Sequence, residues 1–594
     1  MNLSSPFGQL PLRDWGLVHC PAIPFWADAS GDPDLQRVLD TVAQLKLRGG
    51  DDAAAAYAGL STQYTIAGRQ ASAEEFLYGG DPANPADPRT RLPLDRPEQF
   101  TLPWTTYRGM YADSEDLSAV FSPWLDVADA AEATRSFWPT IADHGIPYNL
   151  LVLEKVPPER RDALLAEYGA GGDDLPEGPL YEIDMSILAS LEPVTLVHPQ
   201  APREEVRFVP GTRTLLVQDP ETKDLEPVQI IVLTQDGRSQ QVYTPDHAAW
   251  IYALQAAKAS ITVWGIWLGH VYPWHLVTSA MFMTMTTELG QQHRLWPLIE
   301  PQGRSVIDFD FVLLMFLWSK IVPPTPVGDY MTLLRLCDRY AAGRSFFDDD
   351  PLATLASKGI EKADFSKDAD WDKYPTAGFL SAIYANTADY VEAVVGELYA
   401  SDAEVEGDTR LQAWIAASGD PLGGNVRGLA DVRTRAGLTK VVTSLLHRVN
   451  AHGAGALAPT VHPALSFMAN FPPCLQSAEI PAPGRVFSEV ELLEVLPRTG
   501  TLGQMTTFYF TFAYSPPYAP LIPSGGIDLE PQFPPGQAAC NEALYRFRGR
   551  MRTFIDDYLA AWNANLAKLH GTSPGPLPAY AEQQYQQWSR SVEI

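Results

Sequence analysis

Cysteine is scarce in this 594-residue sequence: Cys20, Cys337, Cys474 and Cys540 are far apart and form no CxxC pair. That argues against a disulfide framework or a cysteine-built zinc site and leaves reduced, structural thiols. Positive charge is also short. Lys and Arg number 43 against 72 Asp and Glu, a formal net charge of −29. Nucleic acid demands basic patches, so that class of partner is disfavoured, as is general adhesion to anionic membranes. There is no HExxH, no Walker loop and no GxSxG, so nothing supports a hydrolase. The glycine-rich GAGALA (453–458) has no strand before it and reads as a loop. The N-terminus, MNLSSPFGQLPLRDW, lacks a basic start followed by an apolar run, from which a cytoplasmic protein is expected. No internal repeat is visible, and the one biased tract is the Pro- and Asp-rich connector at 81–100.

What the sequence does have is apolar content, 46% of residues, ample for one large core. It peaks at 250–293, WIYALQAAKASITVWGIWLGHVYPWHLVTSAMFMTMTTELGQQH. A segment apolar on every side is either a central buried helix or a membrane span. His270, His275 and Pro273 sit inside it, Asp308 and Asp310 interrupt the next apolar run, and neither run has basic flanks. A buried helix is therefore expected, with no integral span.

The two histidines are five residues apart. On a regular α-helix they would point about 140° apart, too far to share one ion. A wider turn of roughly 4.4 residues brings them within about 50°. Pro273 has no amide proton and clashes with the carbonyl of residue 269, which favours such an irregularity. The expectation is a π-bulged helix with two ligand histidines.

Elsewhere, PDLQRVLDTVAQLKLR (33–48) spaces Leu35, Val38, Leu39, Val42 and Leu45 as an amphipathic helix, and residues 1–115 read as a helical and loop-rich region packed on the core. TLLVQDPETKDLEPVQIIVL (214–233) has two β-rich runs around a polar turn and reads as a hairpin. The stretch SAIYANTADYVEAVVGELY (381–399) is helical in pattern.

Trp250, His270, His275, Leu289 and the run HRLWPLIEP (293–301) together resemble the lipoxygenase core without a gap. PTVHPALSF (459–467) and the terminal SRSVEI extend the resemblance, which covers about 116–594. It implies a mainly α-helical catalytic domain with a small β subdomain, of a bacterial type without the N-terminal β-sandwich module. It also implies a non-haem iron, with manganese the runner-up, held by His270, His275, His462 and the carboxylate of Ile594. Ser466 falls at the variable fourth position. His293 is implied to be structural. Trp267, Trp274 and Leu313 are candidates for the substrate channel. The implied reaction removes a hydrogen atom from the methylene between two cis double bonds of a polyunsaturated fatty acid. O2 then adds to the opposite face and a hydroperoxide results. A monomer is expected.

Three positions depart from the family pattern. Many members carry a glutamine pair where this chain has Ile266 and Ala469, and the position that steers stereochemistry falls on Leu313. These departures keep two alternatives open: an oxygenase or hydroperoxide isomerase of the same fold, and a non-catalytic lipid-binding relative.

Overall fold

The structure is a computed structural model. It describes residues 65–66, 69–70, 130–144, 151–169, 176–197, 204–233, 240–303, 330–365, 373–429, 432–455, 472, 474–488, 491–492, 495 and 531–570. The amphipathic helix expected at 33–48 lies outside them, as do His462, Ser466, Ala469, Leu313 and Ile594. Two short paired strands, β1 (Thr65–Ile66) and β2 (Arg69–Gln70), occur in the stretch expected to be helical and loop-rich. Two-residue strands have no periodicity to betray them.

After α1 (Ala130–His144) comes the β region: β3 (Leu153–Lys155), α2 (Arg161–Tyr168), β4 (Leu180–Asp184), β5 (Val194–Val197), β6 (Glu204–Arg207), β7 (Gly211–Gln218), β8 (Leu225–Leu233) and β9 (Gln240–Tyr243). Five of these strands form an antiparallel sheet in the order β3-β4-β7-β8-β9, while β5 and β6 pair separately. The hairpin read at 214–233 is β7–β8, with its turn at Asp219–Asp224.

Both faces of the sheet are covered. Leu216, Ile230 and Val232 point into the main core, and Leu215, Val217 and Ile231 into a smaller core closed by Leu164, Leu165 and Tyr168 of α2. Double burial explains why these strands are near-continuous apolar runs instead of alternating ones. Glu182 is buried beneath α2 but spans Arg213 at 2.6 Å and Arg160 at 3.1 Å, so its charge is compensated.

The central helix follows as three consecutive segments: α3 (Trp250–Trp264), a π-helix (Gly265–Leu276) and α4 (Val277–Glu288). Every described side chain from Tyr252 to Met285 is buried except Tyr272, which is half-buried. Among the described residues no helix is long and apolar enough to cross a membrane. The later helices are α5 (Trp296–Gly303), α6 (Tyr330–Ala341), α7 (Pro351–Ser357), α8 (Pro375–Leu398), α9 (Asp402–Glu406), α10 (Thr409–Gly419), α11 (Arg435–Gly455) and α12 (Ala538–His570); α6, α10 and α11 pack on this axis, and α8 packs on α11 and α12. The GAGALA stretch read as a loop begins inside α11, which runs to Gly455. Cys337, Cys474 and Cys540 are buried.

Specific polar contacts fix the layers. The Trp250 indole donates to Thr134 Oγ1 at 2.7 Å, joining α3 to α1, and Trp414 Nε1 donates to the Met281 carbonyl at 3.1 Å, joining α10 to α4. A buried ion network clamps α7, α8 and α11. Asp350 accepts from Ser444 Oγ at 2.7 Å and Tyr384 OH at 3.2 Å, with the Arg448 guanidinium 3.9 Å away. Burial raises the Asp350 pKa, and Arg448 opposes that rise. Taking away one partner of such a pair strands the other charge. Arg448→Met should therefore destabilise by about 3–5 kcal/mol, read as a lowered melting temperature.

Lys258 of α3 is the opposite case. It is fully buried, and its ammonium has no hydrogen-bond partner among the described residues, with the Phe137 ring 6.0 Å away. Desolvation pulls its pKa from 10.5 down to about 7. Between those two values the unfolded chain binds a proton that the fold does not, so stability rises with pH across that window. Lys258→Met should raise the melting temperature at pH 7 by about 2 °C or more and flatten the rise between pH 7 and 10, as measured by scanning calorimetry.

Candidate metal centre

The π-helix begins at Gly265 and contains Pro273, whose missing amide and ring bulk prevent an unbroken α-helical ladder. Its end shows the wider register directly: the Val277 N–H donates to the Tyr272 carbonyl, five residues back. The Thr278 hydroxyl reaches the Pro273 carbonyl at 3.3 Å, and the Cys337 thiol of α6 lies 3.6 Å from the Trp267 carbonyl. The irregularity is therefore longer than a single bulge, occupying 12 residues.

Its consequence is the placement of two imidazoles. His270 and His275 lie on the same side of the helix, with Nε2 atoms 2.9 Å apart, ring centroids 4.7 Å apart and planes at 76°. His275 is fully buried and His270 is 7% exposed. The donor set fits a first-row ion. Two nitrogens bound at about 2.0–2.1 Å and at a right angle to one ion would be separated by about 3.0 Å, close to the spacing observed. Neutral imidazoles suit iron, manganese or zinc. Among the described residues no group of three or more His, Cys, Asp or Glu comes together.

The surroundings are apolar. Trp267, Leu268, Val271 and Trp274 are buried, and the Trp274 ring centroid is 5.8 Å from that of His270. Trp267 and Trp274, the described channel candidates, thus sit in the main core. His293 stands apart from the pair. Its Nε2 lies 3.1 Å from Asp408 Oδ2, and Asp408 also accepts from Tyr399 OH at 2.8 Å while capping α10 through the Leu411 N–H. Burial disfavours the Asp408 carboxylate, but bonds from Tyr399, Leu411 and His293 outweigh it and lower its pKa. His447 is buried on α11 against the Tyr384 ring, and desolvation lowers its pKa to about 3, keeping it neutral.

One histidine passed over in the sequence stands out by its placement. His452 is in the last helical turn of α11, and α11 packs against both the π-helix and α4. In the sequence nothing sets it apart from a surface or packing residue.

No family model matches the chain. The epidermal-type (12S)/(13S)-lipoxygenase of Mus musculus is 23% identical over 252 residues, 41% of this chain and 35% of that protein. Lipoxygenase ALOX15B of Rattus norvegicus is 23% identical over 319 residues, 51% of this chain and 44% of that one. The aligned stretch therefore spans less than half the length of these curated relatives. Among solved structures, a fungal lipoxygenase from Fusarium graminearum superposes with a TM-score of 0.60 at 12% identity, covering 93% of this chain and 88% of that one. A coral 8R-lipoxygenase gives 0.57 at 16% identity, covering 79% and 68%. The chain has the mainly α-helical lipoxygenase fold, with the imidazole pair on its central helix.

Proposed function

We propose that this chain is a lipoxygenase-type, non-haem iron dioxygenase that adds O2 to a polyunsaturated fatty acid to give a hydroperoxide. The carrying observation is the His270–His275 pair, 2.9 Å between Nε2 atoms on a buried π-helix, at the centre of a fold shared with lipoxygenases. The substrate class comes from relatives whose names specify polyunsaturated fatty acids.

His270 and His275 would hold the ion, completed by His462 and the Ile594 carboxylate, with Ser466 beside them; iron is preferred to manganese. A bound iron supplies the one-electron chemistry that activates the methylene between two double bonds. The chain's own part is to present neutral nitrogens and to bury them among Trp267, Leu268, Val271 and Trp274, so that water is held off the site. Leu313 and the two tryptophans are candidates for shaping the fatty-acid channel. No external reductant is needed, since both oxygen atoms end in the product.

The packing of α11 on the π-helix supports a second reading of the third imidazole, in which His452 replaces His462. Ile266 and Ala469, in place of the polar pair common in the family, favour a same-fold oxygenase or isomerase as the alternative activity.

Elemental analysis should find about one iron per chain, and His275→Ala should lose nearly all of it. Between His452→Ala and His462→Ala, the variant that loses the metal identifies the third ligand. A residue added after Ile594 should lower iron content too, because the terminal carboxylate becomes an amide. Iron-loaded protein given linoleate should form conjugated diene with equimolar O2 uptake. Iron without diene would favour the alternative activity, and fatty acid bound without metal would favour a lipid-binding relative.

A further inference from the structure

A cavity of about 160 Å³ lies beside the central helix, where the sheet, α3, α6 and the segment around α7 meet. One wall is apolar, formed by Leu151, Val152, Met185 and Trp264. The other is charged. Three carboxylates line it, and each is already engaged: Asp349 accepts from Arg344 Nη2 at 2.6 Å, Glu154 faces Arg160 at 3.3 Å, and Asp184 accepts the Ser186 N–H at 2.8 Å. Two cations keep donors to spare: Arg344, held on Asp349 through Nη2, makes no other hydrogen bond, and Lys358 Nζ makes no hydrogen bond or ion pair, among the described residues.

We propose that this cavity binds an organic carboxylate, its oxygens on Lys358 and Arg344 and its apolar body against Trp264 and Met185. Charge-assisted donors matched to an apolar wall select an acid over an alcohol or ester. A cavity of this size holds a group about as large as benzene, so the ligand is either a short free acid or the head of a longer one. Desolvation, reinforced by Arg344 and opposed by Glu154 and Asp184, draws the Lys358 pKa down to about 8; a bound anion would restore its charge. The site adjoins the candidate metal centre. Trp264 precedes His270 by six residues, little more than one turn of the π-helix, and the Tyr340 ring touches both Trp264 and Tyr272 edge-on.

Isothermal titration of the full chain reads this without turnover or metal, so failure of the dioxygenase reading would leave the result intact. Hexanoate should bind at least about tenfold more tightly than hexanol. Lys358→Gln, a change at a partly exposed position, should weaken hexanoate about tenfold and leave hexanol unchanged, while Lys358→Arg should restore it. Decanoate binding much more tightly than hexanoate would identify the head of a long-chain acid; equal affinities would identify a short free acid. Equal binding of hexanoate and hexanol, or hexanoate binding unaltered by Lys358→Gln, would overturn the proposal.

Discussion

The structure depends on a hydrogen-bond register that slips by one residue. Pro273 withholds an amide and crowds the carbonyl before it, and the helix answers by bonding five residues back over Gly265–Leu276. Only with that wider turn do His270 and His275 face one another. In a regular α-helix the two rings would diverge and no single ion could be shared.

Such a distortion is set among closely packed elements. The central helix is enclosed by the sheet and α1 on one side and by α4's partners, α10 and α11, on another. The sheet is itself buried on both faces, so it acts as a fixed floor. Burial without water makes the π-helix's loosened carbonyls costly unless they find donors, and the Thr278 hydroxyl and Cys337 thiol are placed to supply them. The Asp350–Arg448 network holds the neighbouring helices in register at the same level.

Much of this was legible in the residues. A proline between two histidines five apart already implied a π turn, and the polar DPETKD between two apolar β-rich runs implied the β7–β8 hairpin. What could not be read had physical causes. Lys258 is hidden in an apolar run, where one lysine suggests an exposed edge instead of a buried amine. Nothing in the residues around His452 distinguishes it from a surface or packing histidine, and only the extent of α11 to Gly455 places it on a helix. The cavity at Lys358 is assembled from segments far apart in the chain, so no local pattern could announce it. For the candidate metal centre, the sequence supplied the pair and its geometry, while the remaining ligands rest on resemblance.

The slipped register also has a bearing on how this chain can vary. Each residue of a helix advances it by about 100°, so adding a single position between His270 and His275 would do more than part the imidazoles. It would turn the whole of α4, swinging Met281 away from the Trp414 indole and Thr284 away from Ser418, which it meets at 2.7 Å. Length is thus more tightly constrained here than residue identity: conservative exchanges could be absorbed by repacking, whereas an insertion could not.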